Sequence, residues 1–247
     1  MEKSKTFGFL SGNILKLIAC ITMAIDHVGV VFFPGQKIFR IIGRIAFPIF
    51  AFMVAEGCKY TKNRLRYFLT IFLLGAVFQV VYYVAEKSLL MNIFITLSLS
   101  ILIIYALDLV KESIIEEKSW QKIALSGCVL MLVVLGSVLI CKKISINYGI
   151  WGVMLPVFAS IFNFRKRESV KLNELSKKNF IYLNLLIFTV GLVLLAVNTV
   201  KIQYYSLIAI PLLLLYSGKR GKRNFKYFYY AFYPAHLVII YAIAFLF

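Results

Sequence analysis

The sequence predicts an all-α membrane protein, a polytopic helix bundle of about nine transmembrane helices with its N-terminus inside and its C-terminus outside. Of the 247 residues, 62% are hydrophobic and only 15% are charged, and the apolar residues form long runs rather than amphipathic stripes. A soluble domain carries more charge than this. Each crossing of a bilayer takes about 20 apolar residues in a helix, because only a helix satisfies its own backbone polar groups there.

The apolar runs follow one another along the whole chain and are separated by short polar segments. No long linker, low-complexity tract or internal repeat interrupts them, so we expect a single membrane domain over residues 1–247. The second and eighth runs are the shortest. The predicted spans are residues 14–33, 45–58, 66–85, 89–110, 123–141, 146–163, 180–199, 202–217 and 227–247.

The distribution of lysine and arginine predicts the orientation, because basic residues are retained on the cytoplasmic side during insertion. With nine spans, 21 of these residues fall on the side of the N-terminus and 7 on the other side. An error of one helix would remove this asymmetry. The formal net charge of +18 is explained by contact with anionic lipid headgroups rather than with nucleic acid, since the charges lie in short loops.

Two basic clusters stand out, residues 164–179 and 219–226. They are interpreted either as topology determinants that rest on lipid headgroups or as a docking surface for a phosphate-bearing cofactor. The four cysteines lie in or beside apolar runs without the spacing of metal ligands, so no metal site is predicted.

Asp26 and His27 lie about 12 residues into the first span, on the order of 18 Å from its start. Ionisable groups at this depth are costly unless they are paired or used. Antiparallel helices place residues equidistant from a turn at equal depth, and the turn Pro34-Gly35 thereby pairs Asp26 with Arg44. The same count pairs Glu56 with Lys16. Neighbouring residues point about 100° apart on a helix, so Asp26 is expected to hold Arg44 while His27 points into a cavity and is oriented by a group from another helix.

The second histidine of the chain, His236, lies about nine residues into the last span, near the depth of His27. Histidine exchanges a proton near neutral pH, which suits it as a general base for acyl transfer. For His236, in Tyr233-Pro234-Ala235-His236, a hydrogen bond between helices is the alternative interpretation. Two other segments carry less specific signals, Asn92 with Thr96 and Asn147-Tyr148-Gly149, and interhelical hydrogen bonds or an interfacial aromatic belt explain them as well.

These segments resemble the TraX family of bacterial membrane proteins. The most specific part is the first hairpin, from Leu15 to Asp26-His27-Val28-Gly29 and on through Arg44, Pro48 and Glu56-Gly57. The resemblance continues through Asn92 to Thr96, Tyr148-Gly149, and Tyr233-Pro234-Ala235-His236, and it covers nearly the whole chain. Ser98-Leu99-Ser100 departs from the family pattern, which has a glycine there.

The resemblance implies a membrane acetyltransferase of the bacterial cytoplasmic membrane, because the family is named after the enzyme that acetylates the N-terminus of conjugative pilin. It also resembles, more distantly, transmembrane acyltransferases that use cytosolic acetyl-CoA. We therefore expect acetyl-CoA as the donor and an amine or hydroxyl acceptor as the partner. His27 is the expected base, the Asp26–Arg44 pair fixes the cavity, and His236 assists or stabilises the oxyanion.

The remaining site residues follow from the same hypothesis. The phosphates of the donor are expected near the basic clusters, at Arg165, Lys166, Arg167, Lys219, Arg220, Lys222 and Arg223. Glu56, Asn92, Tyr148 and Tyr233 are assigned to the substrate cavity.

Two rival functions remain open. In a transporter or export-accessory protein, Asp26, His27, Arg44 and Glu56 would form a proton relay, although no inverted repeat supports this function. The third possibility is a membrane scaffold for partner proteins. Dependence on acyl-CoA separates the first function from both others. The sequence leaves the acceptor, the acyl chain length and the oligomeric state open.

Overall fold

The computed structural model describes residues 8–86, 89–165, 170–177, 180–221 and 225–246. The described residues are almost entirely helical, and the pairing between extended segments among them is limited to two isolated bridges. A 3₁₀ helix, Lys201–Ile208, precedes α10. The α-helices are α1 (Gly12–Phe32), α2 (Lys37–Gly43), α3 (Ala46–Tyr60), α4 (Arg64–Glu86), α5 (Ile93–Ile115), α6 (Trp120–Lys143), α7 (Gly149–Phe158), α8 (Val170–Lys177), α9 (Ile181–Val197), α10 (Ala209–Leu214) and α11 (Lys226–Leu246).

Six helical stretches in the described part of the chain are long and apolar enough to cross a membrane, and a bent pair, α8 with α9, makes up to seven. Each of the nine predicted spans coincides with helix, but two of these helices are short: α7 and the stretch Lys201–Leu214. Ten residues of α-helix extend about 15 Å, half of a hydrocarbon core. The count of nine crossings and the orientation therefore remain predictions.

The predicted sixth span is shorter than expected for a local reason. Tyr148 and Gly149 both have positive φ angles, 65° and 55°, and this left-handed backbone cannot continue a helix from residue 146. Tyr148 is thus the residue before the first turn of α7. The fourth span likewise begins later than predicted, because Asn92 caps α5 with its side chain.

The described residues form two compact units, and each is considered by itself. The first comprises the described parts of Met1–Met53 and Leu192–Phe247. In it α1 packs against both α2 and α11, and α2 packs against the 3₁₀ helix. The predicted turn at Pro34-Gly35 is present between α1 and α2. This antiparallel hairpin carries Asp26 and Arg44.

The second unit is Val54–Gly191, with α5 at its centre against α4, α6 and α7. Ser100 lies at the contact between α5 and α7, where its Oγ is 2.7 Å from the carbonyl oxygen of Val153. Ser100, in the segment that departs from the family pattern, is therefore an interhelical hydrogen-bond donor.

Asp108 of the same unit is buried and forms ion pairs with Arg64 and Lys111. That the chain acts as one domain over residues 1–247 stays a prediction.

Candidate functional site

The carboxylate of Asp26 is the centre of a buried ionic cluster on the first hairpin. Its Oδ2 atom lies 3.2 Å from Nη2 of Arg44, so the predicted pair is present. Only 11% of the Asp26 side chain and 9% of the Arg44 side chain are exposed. Equal distance from the turn brought the two residues to one depth, and the ion pair makes a charge at that depth tolerable.

A second guanidinium group, that of Arg40, also binds Asp26. Its Nη1 donates to Oδ2 of Asp26 at 2.8 Å. In the sequence Arg40 is one of the seven basic residues on the side opposite the N-terminus, and the hairpin count does not assign it to this pair. The spacing contained the signal, because Arg40 and Arg44 are four residues apart and such residues share one side of a helix. Asp26 is thus shared between two cations.

Glycine allows the hairpin to close tightly around this cluster. A Cβ atom on Gly43 would collide with the side chain of Asp26, and one on Gly29 would collide with Phe39. Gly43 of α2 faces α1, and Gly29 of α1 faces α2. Close packing of membrane helices requires small residues at such positions. The short Asp26–Arg40 contact depends on this approach.

Gln203, on the 3₁₀ helix, is a cluster member that sequence reasoning did not identify. Nη1 of Arg44 donates to its Oε1 at 3.4 Å, across a separation of 159 residues. Gln203 and Ser206 are fully buried. Three residues make one turn of a 3₁₀ helix, so both side chains lie on one face. Among the described residues, Nε2 of Gln203 and Oγ of Ser206 have no hydrogen-bond partner.

The two histidines of the chain meet in the first unit. Their ring centroids are 5.2 Å apart at an angle of 60°. His27 is half-buried on α1, and His236 is buried on α11. Asp26 binds arginine, and the ring of His27 lies beside the ring of His236 on another helix. That His27 points into a cavity stays a prediction. The roles of both histidines in catalysis stay predictions.

One hydrogen bond selects which ring nitrogen carries the proton when His236 is neutral. Its Nδ1 lies 2.9 Å from the carbonyl oxygen of Phe232. A carbonyl only accepts, so Nδ1 carries the proton and Nε2 keeps a lone pair. Within the described part of the chain, this buried Nε2 has no hydrogen-bond partner. A buried, oriented lone pair of this kind is able to take a proton. Tyr233, assigned to the cavity, contacts the His236 ring edge-on at 5.5 Å between centroids.

A groove of about 270 Å³ opens at the beginning of α1 and α11. Its walls are mainly apolar and aromatic, and they are formed by Ser11, Asn13, Ile14, Leu17, Gly221, Phe225, Phe228 and Tyr229. From this groove a series of ring contacts leads along α11, from Phe228 to Phe232 at 5.7 Å and from Phe232 to His236 at 5.1 Å. On α1, Leu17 precedes His27 by ten residues, or about 15 Å of helix.

The predicted donor-binding residues divide between the units. Lys219 and Arg220 are exposed in the first unit, where their carbonyl groups accept hydrogen bonds from the backbone N–H groups of Gly12 and Asn13. Arg165 belongs to the second unit and donates from Nη2 to the carbonyl oxygen of Thr61 at 2.6 Å. The other predicted members lie outside the described residues: Lys166, Arg167, Lys222 and Arg223.

The other cavity residues lie in the second unit. Asn92 accepts a hydrogen bond from the N–H of Phe94 and donates from Nδ2 to the carbonyl oxygen of Gly75 at 2.7 Å. These bonds favour the alternative in which Asn92 connects helices. Tyr148 is half-buried and Glu56 is buried. The expected Glu56–Lys16 pair stays a prediction.

Comparison with known proteins gives a family. The model of the TraX family, described as TraX protein, matches residues 11–244. An uncharacterized protein of Rickettsia prowazekii (strain Madrid E) is 37% identical over 94 residues, which are 38% of this chain and 36% of that protein. No solved structure matches. The match to the family model contains the whole hairpin and both histidines, and the chain therefore belongs to the TraX family.

Proposed function

We propose that the protein is a membrane-embedded acetyltransferase of the bacterial cytoplasmic membrane. It transfers an acetyl group from cytosolic acetyl-CoA to an amine or hydroxyl acceptor, such as a peptide N-terminus or a glycan, in or across the membrane. The observation that carries this proposal is the His27–His236 pair, in which Nε2 of His236 has no hydrogen-bond partner among the described residues. Membership of the TraX family supports the same chemistry.

The reaction needs one proton acceptor beside the attacking group. The nitrogen or oxygen of the acceptor attacks the carbonyl carbon of the thioester, and an imidazole takes the proton that the acceptor loses. The carbon–sulfur bond then breaks, and the leaving thiolate of CoA recovers a proton. His27 was assigned this role from its depth, and the geometry supports His236 equally because its tautomer is fixed.

The donor is proposed to enter at the groove beside the start of α1 and α11. Lys219 and Arg220 are exposed close to Gly221, which lines that groove, and they supply charge for the phosphates of CoA. The aromatic contacts along α11 then offer an apolar path for the extended arm toward the histidines. Arg165 and the basic residues beside it are proposed to add to the same cytoplasmic field.

Entry of the donor at the start of α1 is consistent with the proposed topology, in which nine helices cross the membrane and the N-terminus is inside. In the first unit, Leu10 and Tyr216 form a parallel bridge, so the beginning of α1 and the end of α10 lie on one side. In the second unit, Met91 and Ile146 form a similar bridge, which puts the beginnings of α5 and α7 on one side. A chain that crosses the membrane nine times is expected to have both of these pairs of helix ends on the same side.

The test is transfer of label by the purified full-length protein in nanodiscs. The protein is incubated with acetyl-CoA labelled in the acetyl group and with a bacterial membrane extract. We expect label in a peptide, lipid or glycan product, and we expect the double variant His27→Ala, His236→Ala to give none while still folding. Equal labelling with and without the protein contradicts the enzyme proposal. The transporter and scaffold alternatives predict that result.

A further inference from the structure

The ionic cluster of the first unit has more positive than negative charge. Asp26 is bonded to both Arg40 and Arg44, and one carboxylate balances only one guanidinium. Among the described residues of the first unit, 8–53, 192–221 and 225–246, Asp26 is the one acidic residue. Two guanidinium groups that share one carboxylate in a membrane segment are costly and point to a functional site.

Fully buried hydrogen-bond donors lie beside this excess charge. A guanidinium only donates, so the amide oxygen of Gln203 must face Arg44, and its NH₂ group points elsewhere. That NH₂ group and the hydroxyl of Ser206 are buried without hydrogen-bond partners in the described part of the chain. Leaving such groups unsatisfied is costly. Both would be satisfied by an acceptor from outside.

The position of this cluster separates it from the groove proposed for the donor. The groove lies at the beginning of α1, and Asp26 follows Asn13 by 13 residues, or about 20 Å of helix. Arg40 lies on α2, which follows the turn at Pro34-Gly35, and 39% of its side chain is exposed. The exposed part of Arg40 therefore lies near the other end of the hairpin, away from Lys219 and Arg220.

We propose that Arg40, Arg44, Gln203 and Ser206 bind one oxyanion group, a carboxylate or a phosphate, on the acceptor molecule. A planar guanidinium group can bind two oxygens of a carboxylate or a phosphate at once, and the amide and hydroxyl donate the remaining hydrogen bonds. The identification of the bound molecule as the acceptor rests on the proposed function. The site itself requires only the excess charge and the buried donors.

Binding of inorganic phosphate tests the site without any transfer reaction. The full-length protein is reconstituted in phosphatidylcholine nanodiscs, and equilibrium binding of radioactive phosphate is measured at constant ionic strength in chloride. We expect saturable binding that acetate and phosphoethanolamine displace and that chloride does not. Absence of saturable binding by the wild-type protein overturns the proposal.

Three variants assign the binding to these residues. Arg40→Gln keeps the Asp26–Arg44 pair and should weaken phosphate binding by about tenfold or more, since a hydrogen bond to a charged group is lost. Lys37→Gln removes an equal charge from the same helix at an exposed position, and it should bind phosphate like the wild type. If both variants lose binding equally, the effect is a diffuse field and the proposed site is wrong.

Gln203→Glu is the most discriminating change. It supplies the second carboxylate from within the protein, beside Arg44. We expect phosphate binding to be abolished while the thermal midpoint of unfolding stays the same or rises. A merely structural role of Gln203 predicts a lower midpoint with binding retained, and that result overturns the proposal.

Two further phosphate-binding measurements test what occupies the site naturally and whether the site depends on the proposed function. Adding phosphatidylglycerol to the nanodiscs should reduce phosphate binding if a lipid headgroup occupies the site, and should leave it unchanged if the acceptor is soluble; either result supports the site. His27→Ala should retain phosphate binding whether or not acetyl transfer is found. Failure of the acetyltransferase proposal is thus distinguishable from failure of the anion site.

Discussion

At the residue scale, the ring of His236 is held in place by contacts with its own helix. Nδ1 donates to the carbonyl oxygen one turn earlier, and Phe232 stacks on the ring at 5.1 Å. A second imidazole, that of His27, meets it from α1. The ring is therefore oriented before any substrate arrives, which is what a general base requires.

Removing either imidazole should reduce acetyl transfer. We expect His236→Ala and His27→Ala each to lower the turnover rate by about 10²–10⁴-fold, the usual cost of losing a general base. The measurement is turnover of labelled acetyl-CoA together with binding of a non-hydrolysable CoA analogue, which should be nearly unchanged. Phe245→Ala, at a side chain 91% exposed on the same helix, is the control and should retain turnover.

The outcome also decides which histidine is the base. If His236→Ala loses turnover and His27→Ala keeps most of it, the base is His236 and His27 is a neighbour that shapes the cavity. The opposite result assigns the base to His27, as its predicted depth in the first membrane span suggests. Normal turnover in both variants would contradict a role for the pair.

The Asp26 carboxylate should contribute strongly to stability. Asp26→Asn leaves two guanidinium groups without their shared counterion, one of them buried, and we expect a loss of about 3–5 kcal/mol in the free energy of unfolding. Denaturant unfolding in detergent micelles measures this. Glu117→Gln is the control, because the Glu117–Lys171 pair is exposed and its loss should not be measurable. Equal stability of Asp26→Asn and wild type would contradict the assignment.

At the element scale, the contact between α1 and α2 is set by glycine. The side chain of Asp26 occupies the space that a Cβ atom on Gly43 would need. The backbone of α2 therefore approaches α1 closely enough for Arg40 and Arg44 to reach one carboxylate.

Adding one methyl group at this contact should disturb the cluster. We expect Gly43→Ala to lower the free energy of unfolding by about 1–3 kcal/mol, as overpacking does. Gly35→Ala is a matched control on the same hairpin, since a Cβ atom there meets nothing within 4 Å. Thermal unfolding of both variants in nanodiscs makes the comparison. Equal thermal midpoints of the two variants would contradict this prediction and would show that the hairpin tolerates separation of its helices.

At the scale of the whole molecule, charge and helix length give different information on topology. The 21 to 7 distribution of basic residues predicts nine crossings, while six helices in the described residues are long enough to cross alone. The bent pair of α8 and α9 raises the count to seven, and the two short stretches, α7 and Lys201–Leu214, decide between seven and nine crossings.

Reporter fusions test the orientation directly. We expect fusions within residues 165–178 and after residue 221 to report a cytoplasmic position, and a fusion at residues 144–147 to report the opposite side, because basic loops are retained inside. Activity of alkaline phosphatase and fluorescence of green fluorescent protein provide complementary readouts. A cytoplasmic signal at residues 144–147 would contradict the predicted orientation.

Much of this molecule follows from its sequence. Long apolar runs require helices because a bilayer offers the backbone no partner, and helix is found at all nine predicted positions. The Asp26–Arg44 pair also follows, since a hairpin turn fixes the relative depth of residues on both sides. The helix period further separates Asp26 from His27 and directs them to different neighbours.

Only the tertiary structure decided which distant residues complete the site. Gln203 reaches Arg44 across 159 residues, and His236 reaches His27 from the last helix, because helices that are not adjacent in the chain pack together. No period or spacing encodes such a contact. The free lone pair on Nε2 of His236 likewise depends on a hydrogen bond at one ring nitrogen, and sequence specifies the ring but not its orientation.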